Sequence, residues 1–539
     1  MECFWCKIPA IDVLTRLDSL RQTKNQSRVF LILCSHAISI SRFLSTAKAL
    51  HIHIKGASPE RCRVKNRFRF PRWSVVFVGL CVAGLIVSSH SARGAGGEPR
   101  YFAITDARIV TGTGAAIDSG TVVVARGLIQ AVGASVTIPP EAWVIDGKGL
   151  TVYPGLIDAG TDLGLPKEES SDTSAAGRGR RRAAPSGEIA KGPEDRPGTT
   201  PWRVAADELK TDDKRIETWR NSGFTTVLAI PDGGIFPGQA TVIDLAGDRR
   251  GDYVVKAIAA LPISFKPVSA WWGFPDSLMG SIAYVRQVFD DANWYAHAEP
   301  VYEANVTKFD RLPYDRTEQV IAGELRDKEI ILLPANNSIQ ILRALRLADE
   351  WKINAVLYGG QQGYDVADAI AAKKIPVLVS LKWPERAKDS DPDAEQNLRE
   401  LRFRERAPSS PAALAKAGVK FAFYSDGLSG PKDIFKNVKK AIDAGLAPDL
   451  ALRAFTMDAA DILGLGDRLG SIAPGKIANL VVTEGDIFSE KVKVKQVFVD
   501  GHRFEIHAEP PSEKPSDHKD DAAPGSSVKA MANGEGVGR

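Results

Sequence analysis

The sequence predicts an α/β protein built on a (β/α)8 barrel, with short antiparallel strands before and after it. Three observations carry this. From residue 328 to residue 444, short apolar runs alternate with stretches of helical periodicity, the sign of a parallel βα array with short connections. Residues 101–152 and 468–507 instead alternate apolar and polar positions between turn signals, as half-exposed antiparallel strands do. Between these regimes lies 151–165, TVYPGLIDAGTDLGL, which passes from Pro154 and Gly155 through Leu156 and Ile157 to Asp158 and a polar end. A strand whose polar end follows an apolar body is where a barrel places chemistry.

The chain has 539 residues, 44% hydrophobic and 25% charged, which is globular material long enough for one large domain and a smaller one. Up to Arg93 there are 15 Lys and Arg against 4 Asp and Glu, so the leader carries about +11 of a whole-chain +4 and the rest about −7. The body therefore shows no nucleic-acid footprint. Residues 1–60 read as an over-extended N-terminus. Residues 61–95 read as an export signal or an anchor: Arg61, Arg63, Lys65, Arg67, Arg69 and Arg72 precede the uncharged run 74–89, and Ala92-Arg93-Gly94 offers a cleavage site. The apolar run is short for a spanning helix. The expectation is an exported chain, periplasmic or secreted, with membrane anchoring as the alternative and membrane contact confined to this segment. All five cysteines (Cys3, Cys6, Cys34, Cys62, Cys81) lie in that leader, so the body has neither a disulfide framework nor a thiolate metal site.

Within the array, strands are expected at 328–333, 355–358, 375–381 and 419–424, and helices at 338–350, 363–374, 408–416 and 431–444. Residues 166–200, with an arginine cluster at 178–182, read as a mobile insertion after the first barrel strand, a solvated linker before a lid. Residues 269–315 carry Trp271, Trp272, Phe274, Met279, Val285, Phe289, Trp294 and Tyr295 at roughly helical spacing, which suits packing against the barrel. Residues 386–406 read as a charged surface excursion, and 508–539 as a disordered tail.

The PGLIDA phrase at 154–159 resembles the first barrel strand of the amidohydrolase superfamily, in which PGLID is followed by a small residue and His-x-His. Gly223-Phe-Thr-Thr-Val227 resembles its second strand, Phe421 to Gly427 its eighth, and Thr456, Ala459, Ala460, Leu463 and Gly464 its last helix. The resemblance covers about residues 101–506 and is nearest in texture to the imidazolonepropionase-like metal-dependent hydrolases. It implies a barrel over 153–467 and a β-sandwich assembled from 101–152 and 468–507. It also implies hydrolysis of a non-peptide, cyclic-amide type carbon–nitrogen bond by water activated on one or two divalent ions.

The resemblance further implies ligands from His-x-His on strand one, a Lys on strand four, His on strands five and six, and an Asp on strand eight. This chain has Gly160 and Asp162 at the first pair, Asn336 and Asn337 after strand five, Tyr358 and Gly359 at strand six, and an unremarkable Lys256 near strand four. Only Asp426 is kept. The chain thus resembles a divergent member lacking the metal-binding histidines. His297 falls in the helical insertion rather than at a strand end, so a three-histidine zinc site cannot be built. Asp426 is the catalytic candidate. Asp162 and Asp426 are the candidate ligands for a divalent metal, two oxygen donors suiting Mg or Ca, or alternatively an acid–base pair working without metal. Asn336, Tyr358 and Gln361 are the candidate substrate-binding residues. Two readings stand: a hydrolase of this family with a degenerate metal site, or a non-catalytic barrel that binds a small molecule or a protein partner.

Overall fold

The computed structural model describes residues 101–166, 196, 198–266, 275–386, 391, 395–489 and 492–506. The expectations for 1–95, for most of 166–200, for Trp271, Trp272 and Phe274, and for 508–539 lie outside those residues. No helix among the described residues is long and apolar enough to cross a membrane.

The described chain opens with β1 (Tyr101–Ile109), β2 (Ile117–Ala125), β3 (Leu128–Gly133), β4 (Trp143–Asp146) and β5 (Thr151–Pro154). β1 pairs antiparallel with β2, and β2 with β3. The other edge of β1 is shared: its first half takes β4 and its end takes β5, both parallel. The chain then enters the barrel with β6 (Leu156–Thr161). Gly155, at this junction, has a physical reason: a Cβ there would lie 2.1 Å from Thr225 Oγ1 on the neighbouring strand.

The barrel strands follow in chain order: β6, β7 (Phe224–Ala229), β8 (Ala240–Asp244), β9 (Val254–Pro262), β10 (Ile330–Ala335), β11 (Asn354–Gly359), β12 (Val377–Ser380) and β13 (Phe421–Tyr424). Their helices are α1 (Ala205–Glu208), α2 (Lys214–Asn221), α3 (Arg250–Tyr253), α4 (Leu278–Ala304), α5 (Arg316–Asp327), α6 (Ser338–Trp351), α7 (Ala367–Lys373), α8 (Leu398–Arg406), α9 (Ser410–Lys416), α10 (Pro431–Asp443), α11 (Pro448–Ala454) and α12 (Met457–Ile462). From β9 to β13 each neighbouring pair is parallel. The first half departs from the expected all-parallel array: β8 runs antiparallel to both β7 and β9. The link from β7 to β8 holds no helix and doubles back through Gly233, Gly234 and Gly238, at φ of 97°, 83° and 130°. A crossover helix is what parallel pairing needs, and a glycine-rich reversal supplies the opposite direction. The sheet is nearly closed. β6 and β13, its two ends, are joined by the Asp158 carboxylate, whose Oδ1 accepts the Ser425 N–H at 3.0 Å.

Strand faces explain the near-continuous apolar runs. Ile157, Leu228, Leu332, Val356, Leu378 and Ala422 point into the barrel, while Val227, Ile331, Leu357, Val379 and Phe423 pack outward against the helices. Ala459, Ala460 and Leu463, on and just after α12, join the interior cluster and plug the end where the strands begin. The open mouth is therefore at the strands' C-terminal ends. α6 shows how the helices are specified: Asn337 and Gln340 form a capping box, and Ile341, Ala344, Leu345 and Ala348 give the buried stripe. The region 363–374, expected as one helix, is a short 3-10 turn at Gly363–Asp365 followed by α7.

The helical insertion packs as expected. Phe289 of α4 stacks on Trp351 of α6 at 4.4 Å and 14°, while Met279 and Trp294 face solvent. The C-terminal edge of the 166–200 stretch is fastened down. Arg196 bonds Asp315 and Glu318, both at 2.7 Å, and Asp291 at 3.1 Å, and the Thr199 and Tyr284 hydroxyls meet at 2.7 Å. α8 buries none of its residues and is a surface element.

After the barrel come β14 (Leu480–Glu484), β15 (Lys493–Val499) and β16 (His502–Glu505), with β14 antiparallel to β5. Both ends of the described chain thus build one eight-stranded sheet, ordered β16-β15-β14-β5-β1-β2-β3 with β4 beside β1. Its core includes Ile104, Val124, Val152, Leu480 and Phe498.

Candidate active site at the barrel mouth

Asp426 follows β13 in a tight turn. Asp426 and Gly427 have φ of 51° and 69°, and the Ser425 carbonyl accepts the Leu428 N–H at 3.1 Å. Positive φ at both central residues is what selects Asp-Gly here. The turn is pinned from below, because Ser425 N–H is the group that Asp158 holds. Burial pushes the Asp426 carboxyl above its ordinary pKa, and the Ser380 hydroxyl, Lys382 and Lys266 pull in the other direction. Ser380 Oγ donates to Asp426 Oδ2 at 2.8 Å. Tyr424 and Tyr358 meet edge to face at 6.5 Å beside it, and burial followed by the charge of Asp426 pushes both phenols up.

The other sequence candidates divide. Gln361 belongs to this cluster: its Nε2 donates to Ser380 Oγ at 3.3 Å and to the Lys382 carbonyl at 2.6 Å. Tyr358 does too, with its hydroxyl donating to the Ile263 carbonyl at 2.8 Å. Asn336 sits against the neighbouring strand end, where a Cβ on Gly359 would lie 2.0 Å from its Oδ1. Asp162 is engaged elsewhere. Its Oδ1 takes Arg215 Nη1 at 2.8 Å, and Arg215 also binds Asp213, so the expected pairing with Asp426 is replaced by a carboxylate–guanidinium–carboxylate bridge. Gly160, at the first histidine position, has little room for any side chain: a Cβ there would lie 3.1 Å from both Tyr424 Cδ2 and Ile230 Cδ1. Lys256 lies near the start of β9, 3.5 Å from Glu329, away from the mouth. His297 is on the exposed side of α4, with Nδ1 2.6 Å from the Asn293 carbonyl. Among the described residues no three His, Cys, Asp or Glu are grouped so as to hold a metal ion.

Sequence reasoning passed over Ser380, Tyr424, Lys266, Lys382 and Asp232, the last acting electrostatically on Tyr358. A signal was present. Leu378 and Ser380 of β12 register with Ala422 and Tyr424 of β13, so the inward apolar face of each strand predicts that its next inward residue is at the mouth. It also passed over Asp158. This carboxyl is wholly buried, and burial pushes it up to about 6 despite hydrogen bonds from Ser425 and Gly160. Its Oδ2 makes no hydrogen bond of ordinary geometry, although the Trp219 indole N–H is close enough to favour the charged form.

Two other features are not the site. A cleft of about 700 Å³ between the β1–β2 loop, Tyr153, α11 and Phe488 lies by the plugged end of the barrel. Asp244, raised to about 7 by burial, is enclosed in the seam between barrel and sheet, where Thr226 Oγ1 (2.6 Å) and Asn479 Nδ2 (2.9 Å) both donate to its Oδ1.

Comparison with known proteins agrees with the barrel fold. A model described as Amidohydrolase family matches residues 339–504. The chain is 23% identical over 432 residues to "Amidohydrolase tasK" from Hapsidospora irregularis, covering 74% of this chain and 41% of that protein. It is 40% identical over 65 residues to "Adenine deaminase 2" from Jannaschia sp. (strain CCS1), covering 12% and 10%. The chain thus spans less than half the length of either curated relative. The solved structure of an amidohydrolase from Thermotoga maritima MSB8 superposes with a TM-score of 0.63 at 26% identity, over 75% of this chain and 100% of that one. With the nearly closed eight-stranded sheet, these matches show a chain similar to amidohydrolases in fold and, over residues 339–504, in sequence.

Proposed function

We propose that the chain is a hydrolase of cyclic-amide type, non-peptide carbon–nitrogen bonds, working at the barrel mouth through Asp426 rather than through a histidine-held metal. The observation that carries this is the environment of Asp426: a carboxyl raised by burial, fixed on a rigid turn at the strands' C-terminal ends, with Lys266 and Lys382 nearby. The family's usual ions do not suit these residues. The first histidine position is crowded by Tyr424 and Ile230, Asp162 is held by Arg215, and two ammonium groups near Asp426 oppose a cation there.

In this reading, water attacks the amide carbonyl as its proton passes to Asp426. The O–C bond forms, the C–N bond breaks, and Asp426 returns the proton to the leaving nitrogen. Lys266 and Lys382 offset the charge that develops on the carbonyl oxygen. The test is turnover of a panel of five- and six-membered cyclic amides by the full chain and by Asp426→Asn. Ring opening that Asp426→Asn removes supports the reading, and ring opening that survives it rejects this mechanism.

The second reading, a non-catalytic barrel binding a small molecule or a protein partner, is favoured by the crowded glycine at the first histidine position and by the hold of Arg215 on Asp162. Calorimetric binding of the panel without turnover selects it.

A further inference from the structure

We propose that Ser380 and Gln361 are positioning residues for Asp426, fixing which of its two oxygens handles the proton; this rests on the reading of Asp426 as the acid–base group. The argument is one of hydrogen-bond polarity. A carbonyl only accepts, so the 2.6 Å contact from Gln361 to the Lys382 carbonyl must come from the amide nitrogen, which settles how the Gln361 amide is turned. That nitrogen also reaches Ser380 Oγ at 3.3 Å, and the Lys382 backbone N–H reaches the same oxygen at 3.1 Å. A serine hydroxyl has one proton and two lone pairs. With donors on its lone-pair side, its proton goes to Asp426 Oδ2, 2.8 Å away.

Oδ2 is thus the accepting oxygen in both protonation states, and Oδ1 is the one that takes and returns the substrate's proton. A hydroxyl donating to the carboxylate favours its charged form, against the burial that favours the neutral one. The charged and titratable groups facing Asp426 come from several elements: Lys382 after β12, Lys266 after β9, Tyr358 on β11 and Tyr424 on β13, with Asp232 after β7 acting on Tyr358. None of them replaces the Ser380 proton at Oδ2. Gln361, a substrate-binding candidate on sequence grounds, therefore acts on substrate through Ser380 and Asp426.

The test is a pH titration of the protonated-carboxyl infrared band that Asp426→Asn removes, followed in the full chain and in Ser380→Ala, Ser380→Thr and Gln361→Ala, with circular dichroism melts confirming that each is folded. Losing a hydrogen bond to a charged acceptor moves the midpoint up by roughly one to two pH units. We expect that shift in Ser380→Ala, a smaller one in the same direction in Gln361→Ala, and recovery in Ser380→Thr, which keeps a hydroxyl. If turnover is present, the acidic limb of kcat moves by the same amount while KM holds. A folded Ser380→Ala with the wild-type midpoint overturns the proposal. A shifted midpoint combined with turnover that ignores Asp426→Asn upholds the positioning and overturns the functional reading instead.

Discussion

The two ends of the barrel each hold an aspartate with a raised pKa, Asp244 buried and Asp426 half-buried, and they differ in what surrounds it. At the closed end, Asp244 is 3% exposed and receives donors from Thr226 and Asn479, which bind the barrel to the sheet. At the mouth, Asp426 has one oxygen held by Ser380, with two lysines and two tyrosines beside it. Burial raises both carboxyls. A perturbed titration therefore does not mark a site by itself; access and uncommitted neighbours do. Asp244 ties the barrel to the sheet, and Asp426 is the carboxyl on which the proposed function rests.

The sharpest way to break this contrast is at the mouth. Asp426→Asn should lower turnover of a responsive cyclic amide by at least about 100-fold, the usual scale for losing an acid–base group, while leaving the thermal midpoint nearly unchanged. Comparable turnover in the variant would erase the distinction. The converse change is Asp244→Ala, which strands Thr226 and Asn479 donors in the seam. It should cost about 3 kcal/mol in urea unfolding and leave activity per folded molecule intact.

A third prediction uses pH. Asp244 titrates near 7 in the folded chain and Asp158 near 6, against about 4 when unfolded. The folded state therefore binds these protons more tightly. Their contribution is fully present below about pH 4 and is lost as pH rises toward 6 for Asp158 and 7 for Asp244, at up to about 1.4 kcal/mol per pH unit for each. Asp244→Asn should flatten the upper part of that slope, as followed by urea midpoints across the range; an unchanged slope would mean Asp244 does not titrate there. The smallest expected effect is Arg215→Ala. Its partners Asp162 and Asp213 are partly solvated, so the loss should be no more than about 1 kcal/mol in the thermal melt.

Much of the regular half of the barrel was legible. The runs at 328–333, 355–358, 375–381 and 419–424 became β10 to β13, and the 338–350 periodicity became α6, because burial on both strand faces and one helix face writes itself into residue order. The family model, too, matches within 339–504, where the parallel units follow one another. The antiparallel course of β8 was not legible, since periodicity fixes which face is buried and says nothing of strand direction. The layout of the candidate site was half legible. Asp426, Tyr358 and Gln361 could be placed from strand ends, but Asp162 could not, because Arg215 lies 53 residues away in sequence and claims its carboxylate. Ser380 and Tyr424 look like ordinary strand residues until adjacent strands are put in register.

The most direct test is hydrolysis of a responsive cyclic amide by the full chain after exhaustive dialysis against chelator, with metal content measured on the same sample. The account predicts that turnover persists in the metal-depleted protein and disappears in Asp426→Asn. Turnover that vanishes on chelation and returns with stoichiometric zinc would contradict it, and would mean that the mouth holds a metal centre after all.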